Sequence, residues 1–345
     1  MPKLQFDCLP TMVGSVPHTD PAKACELVLR YLPDIPAWPQ LPRRSFLENM
    51  YVQYSEGFPG VVLNTQDEKI HVDRTQSHDK QLEDLYAAFL SNDGNKFALS
   101  RNYAAGLYYF LNSAFIAPPT AVKGQITGPF SWSLYVTDEK KQPIIYDDIL
   151  ADAAAKLLRL KAAWMQRALS RISPNTIIFL DEPYMTSFGS AYVNVSREKA
   201  IRLFNEVFDG ISGYKGVHCC GNTDWSVLLA TKTNILDFDA YNFAKSLSLY
   251  PKETRNFLVN GGVIGWGIVP TDRDILQKET VASLKDRLEE AMAPFTHARF
   301  KVQDLLRQSL LTPNCGIASL GDEETAELAL RMLSELSKKM RARYL

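Results

Sequence analysis

The chain has almost no net charge, since 38 lysines and arginines face 39 aspartates and glutamates and leave −1. That balance gives no electrostatic footing for nucleic acid or an anionic membrane as partner. No uninterrupted apolar run is long enough to span a bilayer. Residues Met1 to Asp7 lack the long apolar core of a signal peptide, so a cytoplasmic location is expected. No Gly-x-Gly-x-x-Gly follows a strand-like run, which leaves a doubly wound dinucleotide-binding sheet without its signature. Cysteine is scarce and odd in number: Cys8, Cys25, Cys219, Cys220 and Cys315. An odd count in a large chain is no disulfide framework, and the adjacent Cys219 and Cys220 are poor partners for each other. Reduced thiols, some with a chemical role, are expected.

What is present fits a globular enzyme, with 46% apolar and 22% charged residues among 345. Eight short apolar, β-branched segments bounded by Gly, Pro or Asn are expected as buried strands. They lie at Thr11–Ser15, Gly60–Asn64, Ala121–Gln125, Ile177–Asp181, Gly216–Cys220, Ile235–Ala240, Phe257–Val263 and Leu310–Cys315. Helical spacing runs between most of them, most clearly from Asp148 to Ile172, where Leu150, Ala154, Leu157, Leu158 and Met165 recur. Pro21 after Asp20 marks another helix start, and a last helix begins near Glu323. Strand and helix alternating about eight times predicts an α/β fold, a single (β/α)8 TIM barrel over residues 1–345 with an insertion around 65–118. In such a barrel chemistry gathers at the C-terminal ends of the strands. Ser15, Asp181, Glu182, His218, Cys219, Cys220, Asp239 and Cys315 all fall there.

In Val217-His218-Cys219-Cys220 the alternation of a strand puts His218 and Cys220 on one face. Cys315 ends the last expected strand, and a closed barrel can bring the two ends to one mouth. One His and two Cys match catalytic zinc, which takes three protein ligands and keeps a fourth position open. Asp239, ending the next strand, is a candidate displaceable fourth ligand. A buried free cysteine is otherwise a small hydrophobe, and a lone histidine a satisfied core residue.

Five fragments in order over almost the whole length resemble the catalytic C-terminal barrel of cobalamin-independent methionine synthase, and more widely the superfamily that includes uroporphyrinogen decarboxylase. They are Val13-Gly14-Ser15-Val16-Pro17, Gln125-Ile126-Thr127-Gly128-Pro129, Leu180-Asp181-Glu182-Pro183, His218-Cys219-Cys220 and Pro313-Asn314-Cys315-Gly316. The resemblance implies one Zn2+ per chain on His218, Cys220 and Cys315, with Asp239 where the family has Glu. It implies homocysteine as substrate, with Ser15 at its carboxylate, Asp181 at its ammonium and Glu48 as a second ammonium partner. Each of the three has a plain alternative, as a turn cap, a loop cap and a solvated helix residue. The short form, lacking a second barrel, implies a methyl-corrinoid donor, either methylcobalamin or a methylated corrinoid protein. Trp132 and Trp266 are candidates to line the donor face. Competing implications are a methylcobalamin:coenzyme M-type thiol methyltransferase, a uroporphyrinogen-type decarboxylase needing no metal, and a binding protein with a closed structural zinc. Arg43, Arg44, Arg74 and Arg101 form no obvious cluster for a polycarboxylate.

Overall fold

The computed structural model describes residues 4–296 and 300–345. Residues 1–3, which head the N-terminal segment without an apolar core, lie outside them. The strands are β1 (Leu9–Pro10), β2 (Val61–Asn64), β3 (Lys69–Val72), β4 (Val122–Thr127), β5 (Thr137–Asp138), β6 (Thr176–Asp181), β7 (Tyr214–Cys219), β8 (Ile235–Phe238), β9 (Val263–Val269) and β10 (Ser309–Pro313). Seven of them pair in the order β1-β10-β9-β8-β7-β6-β4, every pair parallel.

The strands are buried on both faces, as parallel strands under crossover helices must be. One face packs against helices: Ile178, Leu180, Val217, Leu236 and Ile264 join the main core with Leu157, Leu158 and Met165 of the helix Asp148–Leu169. The other face encloses a second apolar cluster that includes Leu9, Ile35, Ala121, Ile177, Phe179, Ile235, Val263 and Leu310. The helix starts follow from local chemistry. Asp20 caps the helix Pro21–Tyr31 with Pro21 in its first turn, and Asp147 and Asp322 cap the helices Asp148–Leu169 and Glu323–Tyr344.

Between the sheet's edge strands β1 and β4 runs an irregular segment held by two isolated parallel bridges, Ser15 to Gln40 and Ala37 to Lys123. Its backbone hydrogen bonds alternate between the two sides. Gln40 N donates to Gly14 O at 3.0 Å and Val16 N to Gln40 O at 3.0 Å, while Lys123 N donates to Pro36 O at 2.9 Å. Pro33, Pro36 and Pro39 carry no N–H, so this stretch cannot supply a full ladder.

Two expected strands are corrected. The one at Gly60–Asn64 lies outside the parallel sheet: β2 pairs antiparallel with β3, and β3 with β5, in a separate three-stranded sheet. Part of the one at Phe257–Val263 is helix, because Pro251 opens a helix that runs to Val259. Asn260-Gly261-Gly262 ends that helix, and the strand begins only at Val263. The first strand is also displaced: it lies at Leu9–Pro10, ahead of the expected Thr11–Ser15, although Thr11 N still donates to Leu311 O at 2.9 Å. The 65–118 stretch holds β3 and the helices Asp79–Leu90 and Ala105–Phe110.

Candidate metal centre

His218 sits near the end of β7, Cys220 just beyond it, and Cys315 two residues past the end of β10. The fold brings one ligand atom from each of the three within 4.8 Å of the others. His218 Nδ1 donates to Asp237 Oδ2 at 2.6 Å. An ionised carboxylate only accepts, so Nδ1 carries a ring proton and Nε2 is the nitrogen left for another partner. That Nε2 is buried without a hydrogen-bond partner. An orphaned imidazole nitrogen beside two thiols is the donor set that suits zinc.

Asp237 is held as firmly as the ring it orients. It is fully buried, in register with His218 across β7 and β8, and accepts from Thr312 Oγ1 at 2.7 Å. Glycine opposite makes the room: a Cβ at Gly265 would stand 2.1 Å from Asp237 Oδ1. Burial works against charge on His218, but Asp237 and the neighbouring Cys315 outweigh it and raise the imidazole to about 10. Interaction with Cys315 lowers the Cys220 thiol, and the same contact, together with burial, pushes Cys315 up.

Asp239, expected as a displaceable fourth ligand, is engaged in hydrogen bonds at a strand-to-helix junction. It is the N-cap of the helix Ala240–Ser248, where Oδ1 accepts from Asn242 N at 2.9 Å. Oδ2 accepts from Asn242 Nδ2 at 2.7 Å and Asn314 Nδ2 at 3.1 Å. With both oxygens committed, Asp239 lies outside the three-residue cluster. A carboxylate at a strand-to-helix junction satisfies the helix's free N–H groups first.

Asp181 ends β6 in register with Thr127 on one side and His218 on the other. It is buried, and its Oδ1 has no hydrogen-bond partner. Burial pushes its carboxyl up to about 6, against Lys123 and His218. Glu48 is not a solvated helix residue: it is buried, Oε1 accepts from Arg44 Nη1 at 2.7 Å, and Oε2 is left without a partner. The fully buried Tyr54 hydroxyl, driven well above its ordinary value first by burial, also feels the charge of both Asp181 and Glu48. It donates to Gln125 O at 2.6 Å. Ser15 is half-buried, and its Oγ faces Gly316, next to Cys315, so closely that a Cβ there would stand 2.1 Å away.

Glu182, beside Asp181, is a strut. Its two oxygens accept from Phe130 N at 3.1 Å and Ser131 N at 2.7 Å, at the start of the helix Pro129–Tyr135. Gly128 lets it in, since a Cβ there would lie 2.0 Å from Oε1. The Thr-Gly-Pro turn and the Glu of Asp-Glu-Pro thus fit each other. Trp132 and Trp266 are packing residues, fully buried with their ring N–H groups on Tyr51 O and Ser309 Oγ. Tyr51, stacked on Tyr135 at 3.7 Å between ring centres, lies within electrostatic reach of Cys220 instead. A cavity of about 1140 Å³ opens along the helices Pro21–Tyr31 and Ala105–Phe110, and none of the three cluster residues lines it.

The partner residues Asp237 and Thr312, and the buried Lys123, were not anticipated from sequence. Their signal was the same alternation that located His218. Ile235 faces the inner cluster, so Asp237 two residues on faces inward as well.

No protein-family model matches the chain, and no curated protein matches it. Solved structures do. A B12-independent methionine synthase from Shewanella sp. W3-18-1, in complex with selenomethionine, superposes with a TM-score of 0.58 at 15% identity, covering 97% of this chain and 98% of that one. A methyltransferase from Methanosarcina mazei gives 0.59 at 15% identity over 100% and 95%. A putative vitamin-B12-independent methionine synthase from Listeria monocytogenes gives 0.53 at 17% identity over 92% and 84%. At these identities the likeness is one of fold.

Proposed function

We propose that the chain is a zinc-dependent methyltransferase that methylates the thiol of homocysteine to give methionine, on a (β/α)8 barrel whose eighth position is the proline-rich segment 34–40. The observation that carries this is the His218, Cys220 and Cys315 cluster with its orphaned Nε2. These three residues would hold the metal, leaving a fourth position for substrate. Zinc bound there supplies one thing, a substrate thiol kept as thiolate at neutral pH.

The chain's own residues do the rest. Asp237 fixes the tautomer and tilt of His218, the usual outer partner of a zinc-binding histidine. Asp181 and Glu48 each offer a buried carboxylate oxygen that lacks a hydrogen-bond partner, and a buried acceptor left unsatisfied is costly until a cationic donor arrives. The substrate ammonium is that cation, and Ser15 takes the carboxylate at the Cys315–Gly316 turn. Held at both ends, the sulfur approaches the methyl carbon in line. A sulfur–carbon bond forms, the donor–carbon bond breaks with its electron pair leaving on the donor, and the thiol proton has already passed to solvent.

The orphaned oxygens favour an acceptor with an ammonium over coenzyme M, which has none. The selenomethionine in the Shewanella protein is a selenoether analogue of methionine, consistent with the same acceptor. We propose methylcobalamin or a methylated corrinoid protein as donor, from the resemblance to single-barrel relatives.

Zinc content followed by turnover of homocysteine with methylcobalamin is the test. About one zinc per chain and methionine formation support the reading. A chain that takes no zinc when offered it, or methylates coenzyme M but not homocysteine, overturns it. Equal turnover with methyl-tetrahydrofolate overturns the donor assignment alone.

A further inference from the structure

Lys123 is the one residue of β4 whose charge has no place in a sheet interior. It is fully buried, and its neighbours on the strand, Val122 and Gly124, face apolar side chains. Burial pulls its ammonium down to about 8, against the attraction of Asp181 and Asp237. A methionine would fill similar volume without that cost, so the fold alone does not call for a lysine here.

Its contacts join two parts of the amino-acid subsite. Nζ donates to Val13 O at 2.7 Å, the carbonyl next to the Gly14–Ser15 turn, and to Gln125 Oε1 at 3.2 Å. Gln125 in turn donates from Nε2 to Trp38 O at 3.0 Å, in the proline-rich segment. Nζ also lies 4.4 Å from the centre of the Phe179 ring, two residues before Asp181 on the same face of β6. The turn that carries Ser15 has few other ties to this side of the fold. Gly14 O accepts from Gln40 N, and Gly14 leaves no space for a side chain against Gln40 and Gln125.

We propose that Lys123 is a positioning residue for the amino-acid head of the substrate, setting the Ser15 turn at the right distance from Asp181. It touches neither the substrate nor the metal ligands. Its ammonium holds the Val13 carbonyl beside the Ser15 turn, while its own strand β4 pairs with β6, which presents Asp181. This role rests on the reading of the site as one for homocysteine. Its signature is selective: the amino-acid end of the substrate should depend on Lys123, and the sulfur end should not.

The test uses the full chain loaded with cobalt(II) in place of zinc, where the thiolate-to-metal absorption band reports thiol binding without turnover. Homocysteine and 2-mercaptoethanol, which lacks the amino-acid head, are titrated separately. Lys123→Met is expected to weaken homocysteine by roughly tenfold or more, the loss of a few aligned hydrogen bonds. It should leave 2-mercaptoethanol and the metal stoichiometry unchanged. In an Asp181→Asn background the same substitution should have much less effect on homocysteine, because the distance it sets no longer matters. If the methionine variant does not fold, Lys123→Arg, which keeps the charge but not its position, should show the same selective loss. Equal weakening of both thiols, or unchanged homocysteine binding, overturns the proposal. A wild-type chain that binds metal but holds both thiols equally overturns the amino-acid subsite, and the role of Lys123 with it.

Discussion

Asp237 Oδ2 lies 2.6 Å from His218 Nδ1, on adjacent strands and in direct register, with Thr312 holding the other carboxylate oxygen. The ring is therefore oriented before any metal arrives. Asp237→Asn keeps the shape but can present an N–H₂ to Nδ1, which favours the wrong tautomer. Metal affinity should fall by about 10- to 100-fold. Competition against a chromogenic chelator measures this, and an affinity within twofold of wild type would show that the ring needs no carboxylate.

Cys315→Ser should abolish tight zinc binding, leaving one nitrogen and one sulfur donor. Asp239→Ala should leave zinc binding nearly unchanged and instead lower stability by about 1 kcal/mol, the usual cost of a lost N-cap. Metal analysis and thermal melting of the two variants side by side decide between Asp239 as cap and Asp239 as ligand.

Asp181→Asn should raise the KM for homocysteine by roughly 30-fold, corresponding to about 2 kcal/mol for a hydrogen bond to a charged group. The effect on 2-mercaptoethanol as acceptor should be small. Steady-state kinetics with both acceptors test it, and equal loss with both would remove Asp181 from the ammonium site.

Gly265→Ala should displace Asp237, because the added Cβ meets its Oδ1 at 2.1 Å. The expected result is weaker zinc binding together with a lower Tm. Both are read from a protein that touches neither ligand nor substrate at the substituted position.

Lys161, fully buried in the helix Asp148–Leu169, donates to Phe97 O at 3.2 Å and is lowered by burial to about 8. Its folded-state value lies below the unfolded 10.5, so the folded protein holds this proton less tightly. The resulting cost is fully present below about pH 8 and is relieved as pH rises from 8 toward 10.5. Lys161→Met should accordingly stabilise the chain at pH 7, by up to on the order of 3 kcal/mol less the lost hydrogen bond. The gain should shrink above pH 8. Urea unfolding at pH 7 and pH 9.5 checks the sign.

His218, Cys220 and Cys315 were legible in the sequence because strand alternation and strand ends depend on local pattern. The choice between Asp237 and Asp239 was not, since both share a face and only the register with His218 and the helix start at Ala240 separate them. Glu48 could not be placed, because its burial depends on Arg44 and on loops far from any periodic pattern. The expected strand at Gly60–Asn64 was the wrong partner for the sheet's open edges. The segment that lies there, Pro36 to Gln40, is disguised by prolines that remove the alternation and the donors a strand normally shows.

That segment has a mechanical consequence. Elsewhere neighbouring strands are joined by ladders, but between β1 and β4 the link is a few backbone bonds through residues 34–40 and the side chains of Gln125 and Lys123. Ser15 stands on one side of this seam and Asp181 on the other. An amino acid gripped by both would act as a clasp across the weakest hoop, and amide exchange at Ala37 and Trp38 would slow when it binds. Part of the binding energy would then be spent as rigidity along one line of the molecule, far more than in the strands that carry the thiols.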